Sequence, residues 1–143
     1  MRNQDEIDEI LKRVENEDAE PCYPNRLSFL QENRNQEDVD NIHEGIVNVE
    51  KVLKKGAKSF VIYGEPQSGK TEFMIALTCR LVDLDDYQTI FIIMNDNTQL
   101  EEQNYLRFMN ASQLNPTPLR DFDINNNSQN ELKLNQKRII FCR

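Results

Sequence analysis

The string Gly64-Glu-Pro-Gln-Ser-Gly-Lys-Thr71 is the feature that most limits how this chain can fold. It satisfies the pattern G-x-x-x-x-G-K-[ST] and lies between an apolar run, residues 59–63, and a stretch of helical periodicity that starts at residue 70. Its two glycines let the backbone turn sharply, so that successive amides point toward a common centre. The order strand, glycine loop, helix predicts a parallel sheet with crossover helices.

The residue types in this string suit the binding of a polyphosphate. Lys70 supplies a positive charge to the β- and γ-phosphate oxygens, and the Thr71 hydroxyl enters the ligand shell of Mg²⁺, so these are the expected catalytic residues. A plain glycine turn between a strand and a helix is the alternative. We expect a nucleoside triphosphate, most simply ATP with Mg²⁺, to contact Gly64, Glu65, Pro66, Gln67, Ser68, Gly69, Lys70 and Thr71.

An acidic metal ligand for hydrolysis is much harder to find in the sequence. Hydrolysis needs an acid on a neighbouring strand, and no run of four apolar residues followed by Asp-Glu occurs. The nearest candidate is Asp96, which follows the apolar run 89–94 at the expected carboxyl edge of the sheet. Asp96 is therefore a candidate Mg²⁺ ligand, and its alternative role is that of a turn residue that ends the strand.

Periodicity predicts an alternation of helices and strands around this loop. The expected fold class is α/β, a parallel sheet flanked by helices, as an incomplete P-loop NTPase core of the RecA-like type. Residues 1–35 are expected to hold an amphipathic helix and an irregular connector, and residues 36–143 the partial P-loop domain. The predicted elements are helix 4–16, connector 18–35, helix 36–55, strand 59–63, helix 70–84, strand 89–94, helix 99–110, surface excursion 111–137 and strand 138–142.

The charge and the cysteine content of the chain limit the kinds of partner and metal site that we expect. The net charge of −8 argues against this chain gripping nucleic acid by itself, because Lys and Arg supply most non-specific affinity for phosphates. The three cysteines are far apart and only one histidine is present, so the sequence indicates neither a zinc site nor a disulfide framework. No secretory signal or membrane span is indicated, and a cytoplasmic location is the expectation.

The runs VIYGEPQSGKTEFMIALTCRL and TIFIIMNDNTQLEEQNYLRFM resemble the Z-one domain ATPases of bacterial restriction and phage-defence proteins, whose first half is related to superfamily-two helicases. The resemblance covers roughly residues 58–110 and implies ATP hydrolysis coupled to nucleic acid. Its matching positions are Gln67 to Thr71, Asn97, Thr98, Leu100, Gln103 and Arg107.

The resemblance also assigns roles to particular residues. It makes Asn97 and Thr98 candidates for nucleic-acid backbone contacts; the alternative, which we favour, is that Asn97 is a turn residue and Thr98 a helix cap. It makes Gln36 a candidate reader of the adenine edge, and helix capping is the alternative. We find neither a second RecA-like half nor an arginine finger in the sequence, and a helicase-like motor needs both. We therefore expect the chain to meet DNA as part of a larger protein or complex.

Two other classes of function stay open on the sequence alone. A P-loop small-molecule kinase would use Asp96 for the metal or the acceptor hydroxyl, but residues 111–137 offer few arginines for a lid. A non-catalytic ATP-binding subunit fits the missing acid. The last strand is expected to leave a sheet edge open for a protein partner.

Overall fold

A computed structural model describes residues 4–7, 21–64, 69–94, 98–120 and 137–142 of the chain. Residues 4–7 are helical, as predicted, and the rest of that predicted helix lies outside the described residues. The other elements are α1 (Cys22–Asn33), α2 (Gln36–Lys54), α3 (Lys70–Asp83), β1 (Thr89–Ile93), α4 (Thr98–Asn110), β2 (Leu119–Arg120) and β3 (Arg138–Cys142).

The strands form a parallel sheet in the order β1-β3-β2, which confirms an α/β fold with a parallel sheet. β3 lies between the other two strands, so the expectation of an open edge at the last strand is wrong: β1 and β2 are the edges of the described sheet. Ile90 and Ile92 of β1 contact the helical core, whereas Phe91 and Ile93 on its other face are 60% and 74% exposed.

Helix α2 confirms the prediction for residues 36–55. The Asn35 side chain caps it by accepting a hydrogen bond of 2.8 Å from the amide of Asp38. Gly56 follows with φ of 85°, a left-handed conformation that glycine adopts without strain. The buried face of α2 carries Val39, Ile42, Ile46 and Val49 at helical spacing.

The irregular connector predicted for residues 18–35 is wrong, because residues 22–33 form α1. The first amides of α1 are capped from a distance: Asp83, at the end of α3, accepts hydrogen bonds of 2.8 Å from the amides of both Cys22 and Tyr23. Cys22 and Leu30 are buried in the same core as α2 and α3. The helix therefore depends on a partner that local periodicity does not reveal.

The strand predicted for residues 59–63 is also wrong. This segment has no strand pairing, and its side chains face solvent: Val61 is 94% exposed and Tyr63 is 89% exposed. A strand exists only where a neighbour satisfies its backbone groups, and β-branched residues do not by themselves supply that neighbour.

The start of the predicted surface excursion belongs to the core. Ala111 and Leu114 are buried, and β2 begins at Leu119. The centre of this core is aromatic: the rings of Phe108 and Tyr105 in α4 meet Phe141 edge to face, at centroid distances of 5.4 and 5.6 Å. Residues 121–136 of the excursion lie outside the described residues.

Within the described ranges, no helix is long and apolar enough to cross a membrane. Cys22 and Cys79 are buried, Cys142 is half-buried, and none of the three forms a disulfide.

Phe141→Ala should lower the free energy of unfolding by about 3–5 kcal/mol, because it removes a ring that is 1% exposed from the aromatic centre. The matched control is Phe91→Ala on the neighbouring strand, whose ring is 60% exposed and whose loss should cost under about 1 kcal/mol. Urea unfolding followed by circular dichroism measures both. Equal losses in the two variants would contradict this assignment of the core.

Candidate functional site

The candidate site lies at the N-terminus of α3. Gly69 precedes the helix with φ of 83° and ψ of 29°, a left-handed conformation that a side chain would strain. The helix starts at Lys70, whose side chain is exposed, and runs for 14 residues. Its first amides and its dipole present partial positive charge at this end, which favours an anion.

The hydroxyl of Thr71 points toward α4. Its Oγ1 donates a hydrogen bond of 3.2 Å to Oδ1 of Asn104. A threonine hydroxyl has one proton and two lone pairs, so this bond fixes the proton and leaves the lone pairs for a cation. Asn104 thereby orients the oxygen that the sequence assigns to Mg²⁺.

Glu72, the next residue, gathers arginines from separate parts of the chain. Its Oε2 accepts a hydrogen bond of 2.5 Å from Arg26 of α1, and its Oε1 accepts one of 2.7 Å from Arg107 of α4. Nη2 of Arg34, just after α1, lies 3.8 Å from the same Oε1. We call these four residues the Glu72 cluster; it joins α1, α3 and α4 beside the start of α3.

Opposing effects set the pKa of Glu72. Burial raises the pKa of this carboxyl, but the hydrogen bond from Arg107 and the charge and hydrogen bond of Arg26 outweigh burial, so the pKa lies below its usual range. Glu72 is therefore ionised at neutral pH and fully committed to arginines. This makes it a structural carboxylate.

Arg26 is the buried member of the Glu72 cluster. It is 4% exposed, its Nη1 donates a hydrogen bond of 3.1 Å to the side chain of Gln113, and its guanidinium lies 4.7 Å from the ring centre of Phe29. A buried charge is tolerated only with such partners, so Arg26 and Glu72 need each other.

A cavity of about 450 Å³ opens at the same end of α3. Gly64, Gly69 and Lys70 of the motif line it, and so do residues of α2. Arg34 also lines it, with Nη1 3.5 Å from the position that a Cβ on Gly69 would occupy. The structure thus brings the two motif glycines and two cationic side chains to one cavity.

The remaining sequence-predicted residues are not gathered there. Gln36 is exposed, does not line the cavity, and donates its amide hydrogen bond of 2.8 Å to Asp40 instead. Thr98 is the first residue of α4. The predictions for Glu65, Pro66, Gln67, Ser68, Asp96 and Asn97 concern positions outside the described residues.

Sequence reasoning missed Arg26, Arg34, Glu72 and Asn104. The only available signal was the acid in the first turn of α3, which is a common feature of helix starts. Arg107 entered through the family resemblance alone, and the structure gives it a definite contact, Glu72. Charged residues spread over three helices carry no local pattern.

The part of the chain that the structure describes contains no group of three or more His, Cys, Asp or Glu side chains arranged to hold a metal ion. No protein-family model matches this chain, and neither does any curated protein or solved structure.

Glu72→Gln should lower the free energy of unfolding at pH 7 by an amount on the order of 3 kcal/mol, because it leaves buried Arg26 without its charge partner. A carboxyl with a depressed pKa stabilises the fold above its unfolded pKa of about 4.3, and that contribution is lost as the pH falls through the lower folded pKa. The variant should therefore lose less stability than the wild type between about pH 5 and pH 3.

Denaturant unfolding across this pH range provides the measurement. Glu102→Gln is the control. Glu102 pairs with Arg120 and its side chain is 50% exposed, so this substitution should lower the free energy of unfolding by under about 1 kcal/mol. Parallel pH profiles for Glu72→Gln and the wild type would argue against the role given to the Glu72 cluster.

Proposed function

We propose that this chain binds Mg-ATP at the start of α3 and hydrolyses it, as a helicase-like P-loop module. The observation that carries the proposal is the G-x-x-x-x-G-K-T string, whose second glycine, Gly69, is left-handed and directly precedes the helix that starts at Lys70. A string of this kind is most informative where it joins a strand to a helix; here the helix follows the string directly, whereas residues 59–63 before it form no strand.

The residues around the string support the same chemistry. Lys70 is exposed, and the salt bridges among the described residues do not include it, so its ammonium group is free to meet phosphate oxygens. Arg34 adds a second cation beside Gly69. Thr71, held by Asn104, offers its lone pairs to Mg²⁺.

The expected partner is nucleic acid, reached through a larger protein or complex. The net charge of −8 supports this expectation, because a chain with that charge has little non-specific affinity of its own for the phosphates of nucleic acid. The resemblance to Z-one ATPases makes a role in phage defence the working hypothesis. Asp96 stays the proposed acidic metal ligand.

A second candidate function is ATP binding without turnover, as a regulatory or structural subunit. The observation that favours it is the partner of Thr71: Asn104 is a neutral amide at the place where a carboxylate would serve the metal better. A neutral partner weakens the binding of Mg²⁺ and leaves unchanged the phosphate cradle, by which we mean the proposed phosphate site at Gly69 and Lys70.

Lys70→Ala should weaken ATP binding by at least about tenfold, because it removes the point charge from the phosphates. The exposed side chain makes the variant as stable as the wild type. Titration calorimetry with ATP and Mg²⁺ measures the affinity, and Lys58→Ala, at another exposed lysine, is the control. Full retention of affinity by Lys70→Ala would rule out the proposed site.

Turnover in the same preparations separates the functions. ATP hydrolysis that rises on addition of DNA or RNA supports the leading proposal. Binding with no turnover in any mixture supports the second candidate, and ADP formed only with a small acceptor molecule indicates a kinase.

Thr71→Val should reduce the affinity for Mg-ATP several-fold and leave the affinity for ATP in EDTA unchanged, because the side chain keeps its shape and loses the hydroxyl proposed for Mg²⁺, together with its hydrogen bond to Asn104. Thr78→Val in the same helix is the control: its hydroxyl donates a hydrogen bond of 2.7 Å to the carbonyl of Met74 and faces no ligand. An equal loss with and without Mg²⁺ would remove Thr71 from the metal site.

A further inference from the structure

The cavity beside the proposed phosphate site is larger than a polyphosphate needs. Its volume of about 450 Å³ falls within the range of small-molecule pockets, roughly 300–1,000 Å³. Gly64, Gly69 and Lys70 are only part of its lining, and the remainder includes residues of α2, of the first turns of α3 and of the segment just before Gly64. That remainder leaves room for another part of a ligand.

The walls of this remainder are apolar and aromatic. Ile42 of α2 and Phe73 and Met74 of α3 belong to them. Gly45 lets the two helices approach closely: a Cβ at this position would lie 2.5 Å from Cε2 of Phe73, so the ring packs directly on the α2 backbone. A wall of this kind suits a flat heteroaromatic base.

Two polar side chains of α2, Asp38 and Asn41, also line the cavity one helical turn apart. The side chains of Asp38 and Asn41 make no hydrogen bond to another described residue, and Asp38 bonds to Asn35 through its backbone amide alone. A carboxylate accepts hydrogen bonds, and an amide both donates and accepts them. Together they complement a molecule with hydroxyl or amino donors and a ring-nitrogen acceptor, as adenosine has.

We propose that this cavity is the adenosine subsite of the nucleotide site, with Asp38 and Asn41 as the groups that hydrogen-bond the nucleoside and Phe73 as the apolar surface under the base. The inference rests on the proposed function, because it takes the phosphates to lie at Gly69 and Lys70. It differs from the expectation for Gln36, whose amide is bonded to Asp40 outside the cavity.

Two ligands distinguish the subsite from the phosphate cradle: ATP fills both, whereas inorganic tripolyphosphate fills the cradle alone. Asn41→Trp should block the cavity from an exposed position of α2, weakening ATP binding by at least about tenfold while tripolyphosphate affinity changes less than about twofold. Asn48→Trp is the control; it is equally exposed, lies two turns further along α2 and does not line the cavity.

A second pair tests the polar contacts without filling the space. Asp38→Ala should weaken ATP binding and spare tripolyphosphate, whereas Asp40→Ala, two residues further along α2 and away from the cavity, should change neither. Titration calorimetry of all four variants and the wild type, with both ligands, gives the ratios.

The outcomes separate the two proposals. If wild-type chain binds tripolyphosphate as tightly as ATP, or if Asn41→Trp weakens both ligands equally or neither, the subsite is wrong while the phosphate site stands. If the wild type binds neither ligand, the proposed function fails and the subsite fails with it. Selective loss of ATP in Asn41→Trp and Asp38→Ala, with unchanged controls, supports the subsite.

Discussion

The described structure depends most on the ion pairing of one carboxylate. Glu72 lies in the first turn of α3 and pairs with three arginines from other parts of the chain. Arg26 lies in α1, Arg34 between α1 and α2, and Arg107 in α4. Because the Glu72 and Arg26 side chains are only 12% and 5% exposed, Arg26 without Glu72 would be a buried cation with no charge partner among the described residues. This pairing fixes where α1 and α4 lie relative to the start of α3.

That arrangement places the proposed ligand groups on a rigid support. Lys70 and Thr71 immediately precede Glu72, and Asn104, which holds the Thr71 hydroxyl, stands one turn before Arg107 on α4. The Glu72 cluster therefore sets the spacing between α3 and α4 at the point where Thr71 meets Asn104. A side chain positioned in this way loses less conformational freedom when a ligand arrives.

The sequence predicted the elements whose causes are local. The spacing of Val39, Ile42, Ile46 and Val49 predicts α2, because apolar residues at this spacing form one buried face of a helix. In the same way, the apolar β-branched runs at residues 89–94 and 138–142 predict the two longest strands. The same rule failed at residues 59–63, where the residue types are right for a strand and the described structure pairs no neighbour with them. Sheet pairing is a long-range property that composition does not encode.

The candidate site was predictable only along its own string. Gly69, Lys70 and Thr71 are recognisable in sequence because their spacing is fixed by the turn they make. Arg26 meets Glu72 across 46 residues and Thr71 meets Asn104 across 33, so no window of sequence contains both partners. Such contacts arise only when helices pack, which is why polar residues that orient a site escape pattern reading.

Asp83 couples the stability of the C-terminal end of α3 to that of the N-terminal end of α1. This carboxylate finishes α3 and at the same time satisfies the amides of Cys22 and Tyr23 that open α1. If the last turn of α3 frays, the amides of Cys22 and Tyr23 lose their hydrogen-bond acceptor. If α1 unwinds, the Asp83 carboxylate loses these two donors. We therefore expect amide hydrogens in the two helices to exchange with solvent through a single opening unit, although 60 residues separate Tyr23 from its cap.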